Sequence, residues 1–330
     1  MKNLSMPAEK LTSFSGEASG SAVETPAAGQ AGQPVRSLRG FGIWGLVVAA
    51  LVVCYSKPLY RLAWFAATVE FHSYILLVPF VSLYLSWSSR HEFIPYSKPD
   101  RGRAVLPLIA GIAVLACLWQ ATRLIGELPQ VDYLFLATCS FWLFLLSICC
   151  FLLGKETFRV IAFPLDFLIF LMPLPTFLRD SVEAVLQHGS AVAAGMLFKL
   201  SGTPVLWNGL YFQLPGLSLE VATECSGIQS SMALLLTGLL AGYLFLRSPW
   251  KRAVLVTAVI PLGMLRNGLR IFTVGQLCVH FGSQMINSPI HRRGGPLFFA
   301  LSLVPFLLLL FLLWRSERMR GSTVRKPCGT

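Results

Sequence analysis

Three separated positions, a cysteine, an arginine pair and a histidine, carry residue types that together suit acyl transfer. The first lies in Val221-Ala222-Thr223-Glu224-Cys225-Ser226-Gly227-Ile228-Gln229-Ser230-Ser231, where Cys225 follows a hairpin-like stretch and opens an apolar run. A thiol in the first turn of a helix faces unpaired backbone N–H groups and the positive end of the helix dipole. Both favour the thiolate, the nucleophilic form. A carboxylate next to a thiolate disfavours the ion, so Glu224 reads as tuning the thiol, orienting an arginine or ending the hairpin, not as a direct activator. The second position is Arg266-Asn267-Gly268-Leu269-Arg270, inside an apolar run. Ionisable residues within a span usually face a protein interior or a polar cavity, and two arginines four apart share one helical face. At a rise of about 1.5 Å per residue, Arg266 lies roughly 20 Å and Arg270 roughly 26 Å from Ala253. Arg270 thus comes nearer the depth expected for Cys225, although either guanidinium suits a developing oxyanion, and either can instead snorkel or pair with Glu220 or Glu224. The third is His291, in Ser288-Pro289-Ile290-His291-Arg292-Arg293-Gly294-Gly295, a proton carrier ahead of the last apolar run. His280 competes with it. His72, His91 and His188 are more poorly placed.

Elements that would position these groups must be membrane helices. The chain is 55% hydrophobic and 13% charged, with a mean hydropathy of +0.66, which is the composition of a polytopic membrane protein. A formal charge of +12 can signal nucleic acid, but the basic residues cluster at the ends of apolar runs and form no stripe interleaved with aromatics, so no nucleic-acid partner is expected. None of the eight cysteines forms a CxxC or Cys/His spacing suited to zinc. No metal or cofactor is expected. Five of the eight lie in apolar runs, where a free thiol behaves as a small hydrophobe, so a disulfide scaffold is not expected either.

Apolar runs cover Phe41–Tyr55, His72–Trp87, Ala104–Leu124, Tyr133–Leu153, Phe158–Met172, Ser226–Leu246, Ala253–Val279 and Leu297–Trp314. They predict an all-α polytopic membrane protein with about eight transmembrane helices. Residues 1–38, rich in Ser, Gly, Ala, Pro and Glu, read as a disordered cytoplasmic tail. Residues 39–314 form the membrane domain, and 315–330 a basic cytoplasmic tail. With the N-terminus inside, 18 of the 27 Lys and Arg fall on inner segments, so both termini are expected in the cytoplasm.

That orientation puts 174–225 on the periplasmic face. Pro173-Leu174-Pro175 ends the fifth run. Residues 178–200 then alternate at helical spacing, with Val182, Val185, Leu186, Val192 and Leu197 toward one side, and predict an interfacial helix on the outer face. Val205-Leu206-Trp207 and Leu210-Tyr211-Phe212 flank Asn208-Gly209, a two-residue hairpin signal. A further alternating stretch, Leu217-Ser218-Leu219-Glu220-Val221, leads to Cys225.

These residues resemble the exosortase/archaeosortase family of integral membrane cysteine transpeptidases. The resemblance rests on Glu224-Cys225-Ser226-Gly227-Ile228, on Asn267-Gly268-Leu269-Arg270, and on His291 with Gly295 four residues later. Weaker echoes are His72-Ser73-Tyr74 with Val78-Pro79, and Pro173-Leu174-Pro175. It runs from about residue 60 to 314 and departs from the family pattern at the basic Arg292-Arg293. It implies an enzyme of the bacterial inner membrane that sorts exported proteins carrying a C-terminal motif, a transmembrane helix and a basic cluster, in families linked to exopolysaccharide and biofilm. Membrane lipid would be its other partner. By this resemblance Cys225 would form a thioacyl enzyme, Arg270 would hold the oxyanion, and His291 would act as general acid and then base, with Arg266, Asn267, Glu224, Ser226 and Gly227 in support.

The main rival is a transporter or export component for lipid or polysaccharide, in which Arg266 and Arg270 bind an anionic headgroup and Cys225 is incidental. The two readings part on whether Cys225→Ala is harmless.

Overall fold

Gly154 folds the longest helical stretch of the chain back on itself. It lies within Gln130–Phe167 at φ 68° and ψ 175°, a backbone conformation open to glycine and strained for other residues. Trp142 Nε1 donates to Leu165 O at 2.8 Å. The Thr176 backbone N–H and hydroxyl donate to the two oxygens of Asp132, each at 3.0 Å. The first of these joins residues that a straight helix would hold about 35 Å apart, so the arms either side of Gly154 run antiparallel.

The computed structural model describes residues 35–92, 101–124, 126, 128–215, 217–221, 227–282, 284–285 and 295–323. Met1–Ile43 and Trp44–Thr330 separate as two units, and the described residues of the first, 35–43, are helical. In chain order the elements are α1 (Val35–Cys54), α2 (Ser56–Thr68), α3 (Tyr74–Ser88), α4 (Arg101–Leu124), α5 (Gln130–Phe167, continued by a 3-10 turn Leu168–Leu171) and α6 (Thr176–Leu200). Then come β1 (Leu206–Asn208), β2 (Tyr211–Leu214), β3 (Leu217–Glu220), α7 (Ile228–Phe245), α8 (Pro249–Phe281) and α9 (Gly295–Thr323). This is an all-α polytopic membrane protein with one small sheet. Five helices are long and apolar enough to cross a membrane, or six if Trp44–Cys54 and α2, bent by 69°, make one broken span. The sequence expectation is about eight. Here α3, at 15 residues, is shorter than a span, and α5 counts once although Gly154 divides it.

Buried residues of α2, α3 and α5 form one apolar core, including Leu62, Ile75, Leu134, Phe141 and Leu165. Leu234, Leu246, Leu255, Val259 and Phe306 form another among α7, α8 and α9. The two are bridged where Phe163 of α5 stacks on Tyr243 of α7, with ring centroids 3.8 Å apart. Phe170 and Leu174 pack near the other end of α7, against the cluster of Leu186, Ile228 and Met232. The second arm of α5 therefore runs antiparallel to α7, and the Gly154–Lys155 tip falls at the end of the bundle that holds Arg247, Lys251 and Arg252. α9 is antiparallel to α8: Lys251 Nζ donates to Leu313 O and Ser316 Oγ, and the Glu317 carboxylate accepts from the backbone N–H groups of Arg247 and Ser248. The helix runs to Thr323, beyond the Trp314 boundary expected from hydropathy, and these contacts fasten its stretch from Leu313 to Glu317.

The sheet is an antiparallel meander, β1-β2-β3, with Asn208 opposite Tyr211 and Phe212 opposite Leu219. The hairpin forms, with its turn at Gly209, φ +61°, and Leu210, one residue later than the Asn208-Gly209 expected, because Asn208 pairs with Tyr211 at the end of β1. One face, with Phe212, Leu214 and Leu219, packs with Ala191, Ala194, Phe198 and Ile271 of α6 and α8.

α6 buries a face rich in polar and small residues. Glu183, Leu186, Gln187, Ser190, Ala194 and Phe198 are buried, while Val185 and Val192 are exposed. Close packing decides the face. A Cβ on Gly268 of α8 would meet Ala193 Cβ at 2.6 Å and Ser190 O at 3.0 Å, and one on Gly275 would meet Phe198 at 2.5 Å. Small residues let two helices approach this closely, and the larger valines are turned away.

Candidate active site

Gly227 begins α7 in the left-handed region, at φ 71° and ψ 17°. Its carbonyl accepts the Ser231 backbone N–H at 3.0 Å, closing the first helical turn. It also accepts from Arg266 Nη2 of α8 at 3.0 Å, and the same nitrogen lies 3.3 Å from Ser231 Oγ. Arg266 is 6% exposed and Asn267 2%. A Cβ at position 227 would stand 3.0 Å from Arg266 Nη2 and 3.2 Å from Asn267 Cγ, so glycine is required here by backbone conformation and by space together. The first turn of α7 approaches α8 as closely at Gly263, where a Cβ would meet Ser231 Oγ at 2.7 Å.

The chain entering this site is fastened from the other side. Val221, which follows β3, donates its N–H to Leu210 O at 3.0 Å, and its carbonyl accepts from the buried Gln187 Nε2 of α6. Residues 222–226 thus leave a buried clamp at Val221 and rejoin another at Gly227. Glu224, Cys225 and Ser226 fall in this interval, outside the described residues, as does His291.

Arg270 lies one turn beyond Arg266 on α8 and is half-buried. The register of α9 bears on its level. Val259 and Phe306 both close on Gly238 of α7, and Arg270 and Gly295 each lie eleven residues from that layer, about 16 Å further along antiparallel helices. Arg270 and the start of α9 therefore stand at the same end of the bundle, opposite the Lys155–Arg247–Lys251 end.

The remaining histidines separate by environment. His280 at the end of α8 and His188 on α6 are exposed, the latter with Nδ1 2.8 Å from Ala184 O. His72, between α2 and α3, is 1% exposed. From sequence, Gln187 has no assigned role and His72 ranks behind His291. Only the polar residues at helical spacing on α6, Glu183 and Gln187, hinted at a buried polar face.

A protein-family model described as transmembrane exosortase (Exosortase_EpsH) matches residues 67–308. No match was found among curated proteins, and none among solved structures.

Proposed function

The chain belongs to the transmembrane exosortase family, and on that premise we propose that it is a membrane-embedded cysteine protease-transpeptidase acting on the C-terminal sorting signals of exported proteins. Its membrane would be the bacterial inner membrane, with both termini cytoplasmic, the active site periplasmic, and a physiological link to exopolysaccharide and biofilm.

In this reading the Cys225 thiolate attacks the scissile carbonyl carbon, and the oxyanion that forms is held by Arg270. As the tetrahedral species collapses, the C–N bond breaks and the leaving amine takes a proton from His291. The thioester then accepts an amine, or water, whose proton passes to His291, and the thiolate is released.

The observation that carries the reading is the docking of Gly227 on Arg266 and Asn267. Cys225 lies two residues earlier, so covalent connectivity keeps the two Cα atoms within about 7 Å of each other. The nucleophile is tethered to the part of α8 that carries both arginines. His291 precedes Gly295 by four residues, and Gly295 is level with Arg270. Arg266 holds Gly227 O and Ser231 Oγ, and Arg270, level with the start of α9, is the guanidinium assigned to the oxyanion. The single-sided clustering of Lys and Arg at the opposite end supports the orientation.

The test is co-expression with an exported protein bearing a C-terminal motif, apolar helix and basic cluster. Wild type should give a shortened product, and Cys225→Ala should give none while remaining in the membrane. Equal processing by both would remove the thiol from the mechanism.

A further inference from the structure

Buried polar atoms that make no hydrogen bond gather beside the first turn of α7. Among the described residues these include His72 Nδ1 and Nε2, Tyr74 Oη, Arg179 Nε and Arg266 Nη1, of which Arg179 Nε pairs electrostatically with Glu183 at 3.8 Å. A buried polar atom left unsatisfied is destabilising, so a concentration of them calls for an explanation. The first three residues surround Phe71. The His72 ring stands 4.5 Å from Phe71 and 4.7 Å from Phe65 between ring centroids, and 6.5 Å from Tyr74, inclined to it by 29°. Arg179 of α6 lies over the Phe71 ring at 5.3 Å. Phe71 and Tyr74 in turn pack against Leu186, Ile228 and Met232, the cluster that contains the residue immediately after Gly227. These polar atoms therefore lie alongside the proposed reaction centre, on a different wall from Arg266.

We propose that His72, Tyr74 and Arg179 form a subsite for the main chain of an extended peptide, the stretch of an exported protein that flanks the scissile bond; this deepens the transpeptidase reading and rests on it.

The donor and acceptor pattern points to a peptide. Burial, aided by the Arg179 charge, pushes the His72 imidazole down to about 4. Near pH 7 it is neutral and offers one N–H and one lone pair. The Tyr74 hydroxyl likewise donates and accepts, while Arg179 Nε donates. A peptide group, with its own N–H and C=O, uses both kinds of partner. A phosphate headgroup only accepts, and at Arg179 it would meet the Glu183 carboxylate, 3.8 Å from Nε.

The subsite is tested by binding, apart from chemistry. Full-length Cys225→Ala protein in phosphatidylcholine nanodiscs is titrated with a fluorescent peptide carrying a sorting motif, an apolar helix and a basic cluster. Tyr74→Phe and His72→Phe are each expected to weaken binding about five- to tenfold. His72→Gln, which keeps a donor and an acceptor, should weaken it less. Melting temperatures accompany each titration, and Tyr74→Phe, which removes a single oxygen, guards against misfolding. Equal affinities across the set, no binding by the parent form, or a loss seen only with anionic lipid would each overturn the proposal. Failure of the transpeptidase reading is a separate result: intact binding in these titrations, with no cleavage by the wild type.

Discussion

Arg266 Nη2 donates to the carbonyl of Gly227 at 3.0 Å, tying the middle of α8 to the start of α7 across 39 residues of sequence. The bond separates the roles of two arginines that sequence alone leaves interchangeable. In the proposed reading Arg266 is a positioning residue at the start of α7, and Arg270, one turn on, holds the oxyanion. Arg266→Lys keeps the charge but replaces the rigid, planar guanidinium, whose Nη2 meets both Gly227 O and Ser231 Oγ, with a flexible ammonium. It should lower processing about ten- to a hundredfold, the range seen when positioning geometry slips, while the protein still inserts and melts cooperatively. Arg270→Lys should abolish processing with little change in melting temperature. The comparison is a time course of product formation for both variants; equal losses would remove the distinction.

Gly227→Ala probes the same contact from the other helix. Alanine in the left-handed region costs about 1–2 kcal/mol, and the added Cβ would press on Arg266 and Asn267. Processing should be lost, and the reactivity of Cys225 toward a thiol-alkylating reagent should change with it. Unchanged alkylation and processing in Gly227→Ala would show that the close approach has no bearing on the nucleophile.

Local signals were readable in the sequence, and long-range contacts were not. Asn208-Gly209 marks the hairpin because a tight turn needs a residue at positive φ, which Gly209 supplies, although Asn208 itself pairs at the end of β1. The break between Tyr133–Leu153 and Phe158–Met172 falls on Gly154, where the helix reverses. The four-residue spacing of Arg266 and Arg270 puts both on one face of a helix. The buried face of α6 had no local sign because it depends on Gly268 and Gly275 of another helix, about 75 residues away, whose missing Cβ atoms let Ala193 and Phe198 approach. Gln187 carried no local sign of its bond to Val221, and His72 none of its burial, since both follow from elements far apart in the chain.

The neutral His72 makes stability depend on pH. Its ordinary value is 6.5 and its folded value about 4, with burial the main cause and Arg179 the second. Between these values the unfolded chain binds the proton and the folded one does not, so the contribution is intact above about 6.5 and is lost as pH falls toward 4. The melting temperature should drop across that window, and His72→Phe should flatten the drop, leaving only what the carboxylates contribute. Parallel curves for the two proteins would place the His72 proton elsewhere.

Gly268 holds α6 against α8, and through α6 it holds the Gln187–Val221 clamp at the upstream edge of the Cys225 segment. In Gly268→Ala the new methyl would lie 2.6 Å from Ala193 Cβ and 3.0 Å from two backbone atoms of α6, contacts that only movement of the helix can relieve. Overpacking of this kind costs about 1–3 kcal/mol. Gly45→Ala is the control, since nothing lies within 4 Å of its added Cβ, and alanine there improves helix propensity by about 1 kcal/mol. Gly268→Ala should therefore melt earlier and process more slowly, with Gly45→Ala equal to wild type in activity. Gln187→Leu should reproduce the slower processing of Gly268→Ala, because both act on the position of Val221 O. If Gly268→Ala slows processing while Gln187→Leu does not, then α6 positions the site by some route other than this clamp.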